Sequence, residues 1–148
     1  MKISSKGRYG LAAMIYIADK SRNGEYITII RIAEDLKISK IYLEQVFSLL
    51  KRANLVVSIK GAQGGYRLSK TPSEISAREI LEAIEISLFE KADKTVPKTA
   101  PGIENAMETL LWNNLDNEVA ISLAKVSLQN LLEESEKYID NNEIMYYI

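Results

Sequence analysis

The sequence predicts a mainly α-helical fold with one small β-hairpin. It also predicts one long helix whose apolar stripe is too long for the rest of the chain to cover. Apolar residues recur at helical spacing in several segments. One pair of β-rich segments encloses the glycine-rich stretch "GAQGG". A long apolar stripe begins near Gly102. With 148 residues, the chain can bury the core of one or two small domains.

The composition excludes several kinds of chemistry. The chain has no cysteine and no histidine, which rules out disulfides, thiolate metal sites, Ser-His-Asp and Cys-His catalysis and the usual zinc sites. The lack of cysteine and histidine does not exclude carboxylate catalysis or a magnesium site. However, the acidic residues are scattered along helical faces at positions expected to be solvated, so we do not expect an enzyme.

The charge is distributed unevenly along the chain. Residues 1–70 contain 13 Lys and Arg against 5 Asp and Glu, whereas residues 71–148 contain 6 against 15. The basic half is therefore suited to approach a polyanion, and the acidic half is not.

The N-terminus raises the question of export. A basic start and the apolar run 9–18 are typical of a signal peptide, but Asp19-Lys20 follows without a clear cleavage site. The run is also too short to span a bilayer. We therefore expect a cytoplasmic protein, which the absence of cysteine fits.

Three helices are predicted in the basic half. Ser4 or Ser5 can cap a helix to about Lys20, Thr28 a second through Leu36, and Ser39 a third to about Ala53. Their inward stripes are Leu11, Met14, Ile15 and Ala18, then Ile29, Ile32, Ala33 and Leu36, then Leu43, Val46, Phe47 and Leu50. The short connection Lys37-Ile38 makes the second and third helices a helix-turn-helix.

The stretch "SIKGAQGGYRLSK" matches neither the P-loop nor the dinucleotide fingerprint. The segments 55–60 and 66–69 instead predict a hairpin whose glycines allow positive φ. Directly after a helix-turn-helix, such a hairpin is a wing that can lie along a DNA groove, and Lys60 and Arg67 add positive charge. The alternative is a plain surface hairpin.

The acidic half begins with a capping box, Ser76 to Glu79, that opens a fourth helix to about Ile86. A polar linker over residues 89–101 separates a winged domain, 1–88, from a C-terminal part, 102–148. The long helix has the stripe Ile103, Met107, Leu110, Leu111, Leu115, Val119 and Leu123. We interpret it as a dimer helix with Leu111, Leu115 and Val119 between subunits; the alternative is an intramolecular core helix. A last helix is predicted over 126–136.

The winged arrangement indicates which residues would contact DNA. Lys40, Tyr42, Glu44 and Gln45 lie off the buried stripe near the start of the third helix, the end that usually meets base edges. Glu44 could instead pair with Lys40 on the surface. The full set of DNA-binding candidates is Ser5, Lys6, Arg8, Tyr9, Ser39, Lys40, Tyr42, Glu44, Gln45, Arg52, Lys60 and Gln63. In a dimer they imply a pseudo-palindromic operator with half-sites about one helical turn apart.

Three motifs carry a family resemblance: "MKISSKGRYGL", "ISKIYLEQVFSLLKRANLV" and "SIKGAQGGYRLS". With them the chain resembles the Rrf family of bacterial winged-helix regulators, which includes iron–sulfur and nitric-oxide sensors and cysteine metabolism repressors. The resemblance implies a homodimeric DNA-binding protein. Weaker likeness continues through "ISAREILEAIE" and the long helix.

The resemblance also bears on cofactors. Cluster-binding members carry three cysteines after the fourth helix, where this chain has "EKADKTVPKTAPG". Because thiolates hold iron–sulfur clusters, we expect no cluster and no other cofactor. Glu90, Asp93 and Glu104 could bind an ion, but a solvated acidic loop is the simpler interpretation.

Among the branches without a cluster, the chain looks most like the cysteine metabolism repressors. Two motifs carry this likeness: "MKIS" followed by "KGRYGL" at the start, and an aromatic residue followed by Tyr-Ile at the end. That branch binds cysteine synthase, the O-acetylserine thiol-lyase, so the resemblance implies a partner-binding tail at Tyr146, Tyr147 and Ile148. The tail could instead fold back on its own dimer. A same-fold regulator with another signal, such as a small ligand, and an interaction module without DNA binding are the remaining alternatives.

Overall fold

Seven helices and one hairpin make up the part of the chain that the computed structural model describes, residues 1–62 and 64–146, with side chains described as far as residue 139. Helices α1 to α3 span Ser5–Lys20, Ile29–Leu36 and Lys40–Arg52; strands β1 and β2 span Val56–Ile59 and Gly65–Leu68; helices α4 to α7 span Ala77–Ile84, Pro101–Met107, Asn113–Ala124 and Leu128–Tyr146. Short 3-10 turns occupy Pro72–Glu74 and Ile86–Phe89, and the π-helical segment Glu108–Trp112 joins α5 to α6 without a break.

The first three helices confirm the prediction, with one exception at a cap. The Ser4 and Thr28 side chains accept from the first turns of α1 and α2. Ser39 occupies the N-cap position of α3, but its side chain makes no capping hydrogen bond, so that predicted role was wrong. Lys37 adopts the left-handed conformation (φ 55°) and ends α2, and this turns the chain directly into α3.

A single core lies beneath α1, α2 and α3. The predicted stripe of α3, Leu43, Val46, Phe47 and Leu50, is fully buried. The core also includes Leu128 and Leu132 of α7, which packs against α1. The first turns of α7 therefore complete the core of the winged part, although they fall in the predicted C-terminal part. The division of the chain into 1–88, 89–101 and 102–148 stays a prediction.

The hairpin is held along β2 by the segment that precedes α2. Val56 pairs with Leu68, and Ile59 with Gly65. Ile27 and Tyr66 exchange two backbone hydrogen bonds of 2.8 Å. The Tyr66 ring lies 4.7 Å from the Phe47 ring of α3, centroid to centroid. The wing is thus fixed to α3 and to the segment that leads into α2.

Helix α4 begins as predicted and ends earlier. Ser76 and Glu79 form the capping box, and the backbone N–H of Ser76, with Lys70 beside it, lowers the pKa of the Glu79 carboxyl. The helix stops at Ile84, not near Ile86, because Glu85 leaves helical geometry at φ −101°, ψ 68°.

The last helix is longer than predicted. Helix α7 continues to Tyr146, so the predicted end at Glu136 was wrong. No glycine or proline follows Glu136, and the helix therefore meets no strong stop signal. In the part of the chain that the structure describes, no helix is both long and apolar enough to cross a bilayer.

Candidate nucleic-acid interface

The outer face of α3 is open to solvent. Ile41, Glu44, Gln45 and Ser48 follow one another at i, i+3, i+4 and i+7, and all four are exposed. They lie opposite the buried stripe, so packing does not determine their identity. The sequence prediction named Glu44 and Gln45 on this face and missed Ile41 and Ser48, which the same helical spacing could have identified.

The start of α1 lies beside this face. Lys6 lines a shallow groove together with Ile41, Glu44 and Gln45. The Tyr9 and Tyr42 rings meet edge to face with centroids 5.7 Å apart. The structure therefore brings these predicted residues of α1 and α3 onto one surface.

Arg8 and Ser5 lie on the same turn of α1. The Arg8 Nη2 donates to Ser5 Oγ at 3.2 Å, and its guanidinium lies 6.0 Å from the Tyr9 ring centroid. Arg8 is exposed, whereas Ser5 and Tyr9 are half-buried. A cation beside the N-terminus of a helix is a suitable contact for a phosphate.

The surface pairing considered for Glu44 is present. Lys40 Nζ lies 3.8 Å from Glu44 Oε1, and both side chains are more than half exposed. An exposed pair of this kind contributes little to stability, about 0.5 kcal/mol. Either group can therefore leave the pair to meet a base or a phosphate.

Other predicted residues lie away from this surface. Arg52 is in the last turn of α3, about 18 Å along the helix axis from Lys40. Lys60 is exposed on the hairpin, and Gln63 lies outside the described residues. The Arg67 guanidinium lies 4.8 Å from the Tyr26 ring centroid and donates to the Gly24 carbonyl. Arg67 thus ties the wing to the segment between α1 and α2.

A buried carboxylate fixes the start of α1. Glu85 is 8% exposed, and its Oε1 accepts from the Ser4 N–H at 2.8 Å and from the Ser4 hydroxyl. A side chain at Gly7 would collide with this carboxylate. The expectation that the acidic residues are solvated was therefore wrong here, and the end of α4 is tied to the start of α1.

The polar loop after α4 is ordered around a second buried carboxylate. Glu104 is 6% exposed and accepts from the N–H groups of Thr95 and Val96 at 3.0 and 2.6 Å. The interpretation of Glu104 as part of a solvated loop was wrong, because these two bonds replace its hydration. Its carboxylate is already occupied, and the segment offers no thiolate or imidazole. These donors do not match the ligands of an iron–sulfur cluster.

A helix-turn-helix whose second helix leaves one face exposed, followed by a hairpin, defines a winged-helix DNA-binding protein. Residues 3–134 match the family model Rrf2, described as an iron-dependent transcriptional regulator. The chain belongs to the Rrf2 family and is a transcriptional regulator, not an enzyme. This confirms the resemblance and the fold class predicted from the sequence.

Relatives and solved structures agree with this assignment. The HTH-type transcriptional regulator IscR of Aliivibrio salmonicida is 35% identical over 139 residues, which are 92% of this chain and 80% of that protein. The structure of CymR, the global cysteine regulator of B. subtilis, superposes with a TM-score of 0.73 at 34% identity, covering 90% of this chain and 98% of the other. The structure of T. potens IscR gives 0.71 at 31% identity, covering 93% and 90%.

We predict that Glu44→Ala alters which sequences are bound. A carboxylate on this face can accept from the cytosine N4 amino group, and losing such a contact changes discrimination by about tenfold. Selection from a randomised duplex library compares the base preferences of the variant and wild type. Glu34→Ala, which removes an exposed acid from α2, is the control. If Glu44→Ala has the base preference of the wild type, Glu44 does not read a base and forms only the surface ion pair with Lys40.

We predict that Lys60→Ala and Arg8→Ala weaken binding to all sequences alike. Each removed phosphate contact should reduce the slope of log K against log salt by about one. Fluorescence anisotropy at several salt concentrations measures this slope. Lys137→Ala, which removes a cation from α7, should keep the wild-type slope. A wild-type slope in Lys60→Ala or Arg8→Ala would show that the cation does not contact phosphate.

Proposed function

We propose that this protein is a homodimeric, sequence-specific repressor of cysteine and sulfur metabolism genes that works without an iron–sulfur cluster. The observation that carries the DNA-binding part is the exposed face of α3 beside the start of α1. The polar groups on this face suit base edges in the major groove, and the adjoining cations suit phosphates. The positive charge of residues 1–70 supports the same interface.

The dimer is supported by an apolar surface that the single chain leaves uncovered. On the continuous helix 101–124, Leu110, Leu111 and Leu115 are 69%, 50% and 53% exposed, and Val119 is half-buried. A contiguous stripe of this kind is unusual on a monomer. We propose that Leu111, Leu115 and Val119 meet their symmetry mates in a two-fold seam.

The link to cysteine metabolism is supported by two likenesses. The CymR structure superposes over nearly its whole length, and Staphylococcus aureus CymR is 36% identical, with a TM-score of 0.68 and coverage of 90% of this chain and 97% of the other. The absence of cysteine and the occupied Glu104 carboxylate support a regulator without a cluster.

Affinity footprinting on the genome that encodes this chain tests the proposal. We expect a pseudo-palindromic site, with half-sites about one turn apart, upstream of genes for sulfur assimilation and cysteine synthesis. Purified protein without added iron should bind it at full affinity. Sites confined to unrelated genes would contradict the metabolic assignment, and binding without sequence preference would contradict the proposed sequence-specific repressor.

The tail is proposed to bind cysteine synthase. Tyr146 ends α7, and Tyr147 and Ile148 lie outside the described residues. A terminal carboxylate with an apolar side chain is a known recognition element for chain ends. The enzyme-bound dimer would then hold its operator more tightly, and O-acetylserine would compete for the enzyme.

Calorimetry of the full chain against the host's cysteine synthase tests the tail. We expect binding that O-acetylserine weakens and that deletion of Ile148 abolishes, while operator binding by the free protein is unchanged. Binding that survives the deletion would contradict the tail hypothesis and would leave the DNA-binding assignment intact.

One observation favours the alternative of a regulator that senses a small ligand. A cleft of about 660 Å³ lies between the end of α1, the wing and α7, and its lining includes Arg22, Arg67, Ser69 and Gln129. A ligand there would contact both the wing and the C-terminal helix. Thermal stabilisation of the protein by candidate metabolites in the absence of any partner would favour this alternative.

A further inference from the structure

Ile41 is an apolar side chain placed where a polar one is expected. It is 68% exposed in the first turn of α3, and the other residues of that face, Glu44, Gln45 and Ser48, are polar. Leaving an isoleucine exposed forgoes the stabilisation that its burial would give. Its position on the candidate interface therefore calls for a partner that would cover it.

The helix backbone and the side chain's own branching limit the positions that Ile41 can take. Its β-branched side chain has one strongly preferred rotamer in a helix. The ion pair between Lys40 and Glu44 lies on one side, and Tyr42 is held by the ring of Tyr9 on the other. Lys6 borders the same groove. The helix thus presents a methyl-rich group with few rotamers, flanked by cations and hydrogen-bonding groups.

Base chemistry limits what this group can recognise. In the major groove, guanine, adenine and cytosine present hydrogen-bond donors and acceptors, whereas thymine adds a C5-methyl group. An isoleucine cannot satisfy a donor or an acceptor, but it can cover a methyl group. We propose that Ile41 reads the methyl group of one thymine in each half of the operator. This inference rests on the proposed DNA-binding function and adds a specificity residue to it.

Replacing single thymines by deoxyuridine tests the inference, because this removes the methyl group and keeps every hydrogen-bonding group. The probes are duplexes that the full-length wild-type protein selects from randomised DNA, with one thymine of each half-site replaced at a time. We expect one position at which replacement weakens wild-type binding about fourfold per half-site, the effect of one buried methyl group. Other thymines should tolerate the replacement.

The variant Ile41→Ala should bind the thymine and deoxyuridine probes with equal affinity at that position. Ile86→Ala is the matched control, because Ile86 is 65% exposed and lies outside the face of α3. It should retain the wild-type ratio between the two probes, whatever its absolute affinity. Since the readout is a ratio, a general loss of stability in either variant does not imitate the expected result.

The possible failures are distinguishable. If the wild type selects a sequence but no thymine responds to loss of its methyl group, or if Ile41→Ala keeps the response, Ile41 does not read thymine and the DNA-binding proposal stands. If Ile41→Ala changes sedimentation instead of the probe ratio, the side chain belongs to a protein contact and the inference is wrong. If no duplex is selected, the proposed function fails together with the inference.

Discussion

Leu115→Asp is expected to convert the protein into a monomer that no longer binds its operator. Leu115 is 53% exposed on α6, between Leu111 and Val119. In a two-fold seam the introduced carboxylates would lie near each other, away from water and without a partner. In each subunit the variant loses the burial of a leucine, about 2 kcal/mol, and adds an unpaired buried charge that costs several kcal/mol. Sedimentation velocity and operator binding at low salt measure the two effects.

Asn117→Asp is the matched control for this variant. It adds the same charge to the same helix, two residues away and therefore on the opposite side. Asn117 is exposed, and the control should stay dimeric and bind operator. If Leu115→Asp also sediments as a dimer, the subunits meet elsewhere, and the exposed leucines of the 101–124 helix have another function.

The parts of the fold that were predictable depend on local signals. The apolar spacing of α3 identified all four of its buried residues, and the glycines between the two β-rich segments identified the hairpin. The end of α7 was misplaced, because the asparagines after Glu136 weaken a helix without stopping it. Ser39 is at the N-cap position but makes no capping hydrogen bond, and the residue type alone does not distinguish these two outcomes.

The site was less predictable because it depends on contacts between distant segments. Glu85 meets Ser4 across 81 positions of the chain, and nothing in either local sequence indicates the pairing. Glu104 is a charged residue that is buried, because two N–H groups of the loop before it donate to its carboxylate. Ile41 was not predicted on the exposed face of α3, because an apolar residue near a buried stripe is ordinarily assigned to the core.

Gly65→Ala is expected to destabilise the wing and with it the whole winged part. Gly65 has φ +143°, a conformation that alanine adopts only with strain. An added Cβ would lie 2.5 Å from the Ile27 carbonyl carbon and 2.9 Å from the Thr28 nitrogen. Both atoms are backbone and cannot rotate away. Strain and collision together should cost about 3–5 kcal/mol, or roughly 10 °C in Tm.

Two glycines of the same chain separate the causes of this loss. Gly61→Ala retains the strain, since φ is +113°, but the Cβ would meet nothing within 4 Å; Gly102→Ala meets nothing and has no positive φ. We expect Tm to fall slightly for Gly61→Ala and to stay level or rise for Gly102→Ala, which lies in the first turn of α5. If Gly65→Ala melts like Gly61→Ala, the contact between the wing and the start of α2 is loose enough to yield. In that case the wing position relative to α3 is not fixed by the Ile27–Tyr66 pairing, and operator affinity should be insensitive to substitutions there.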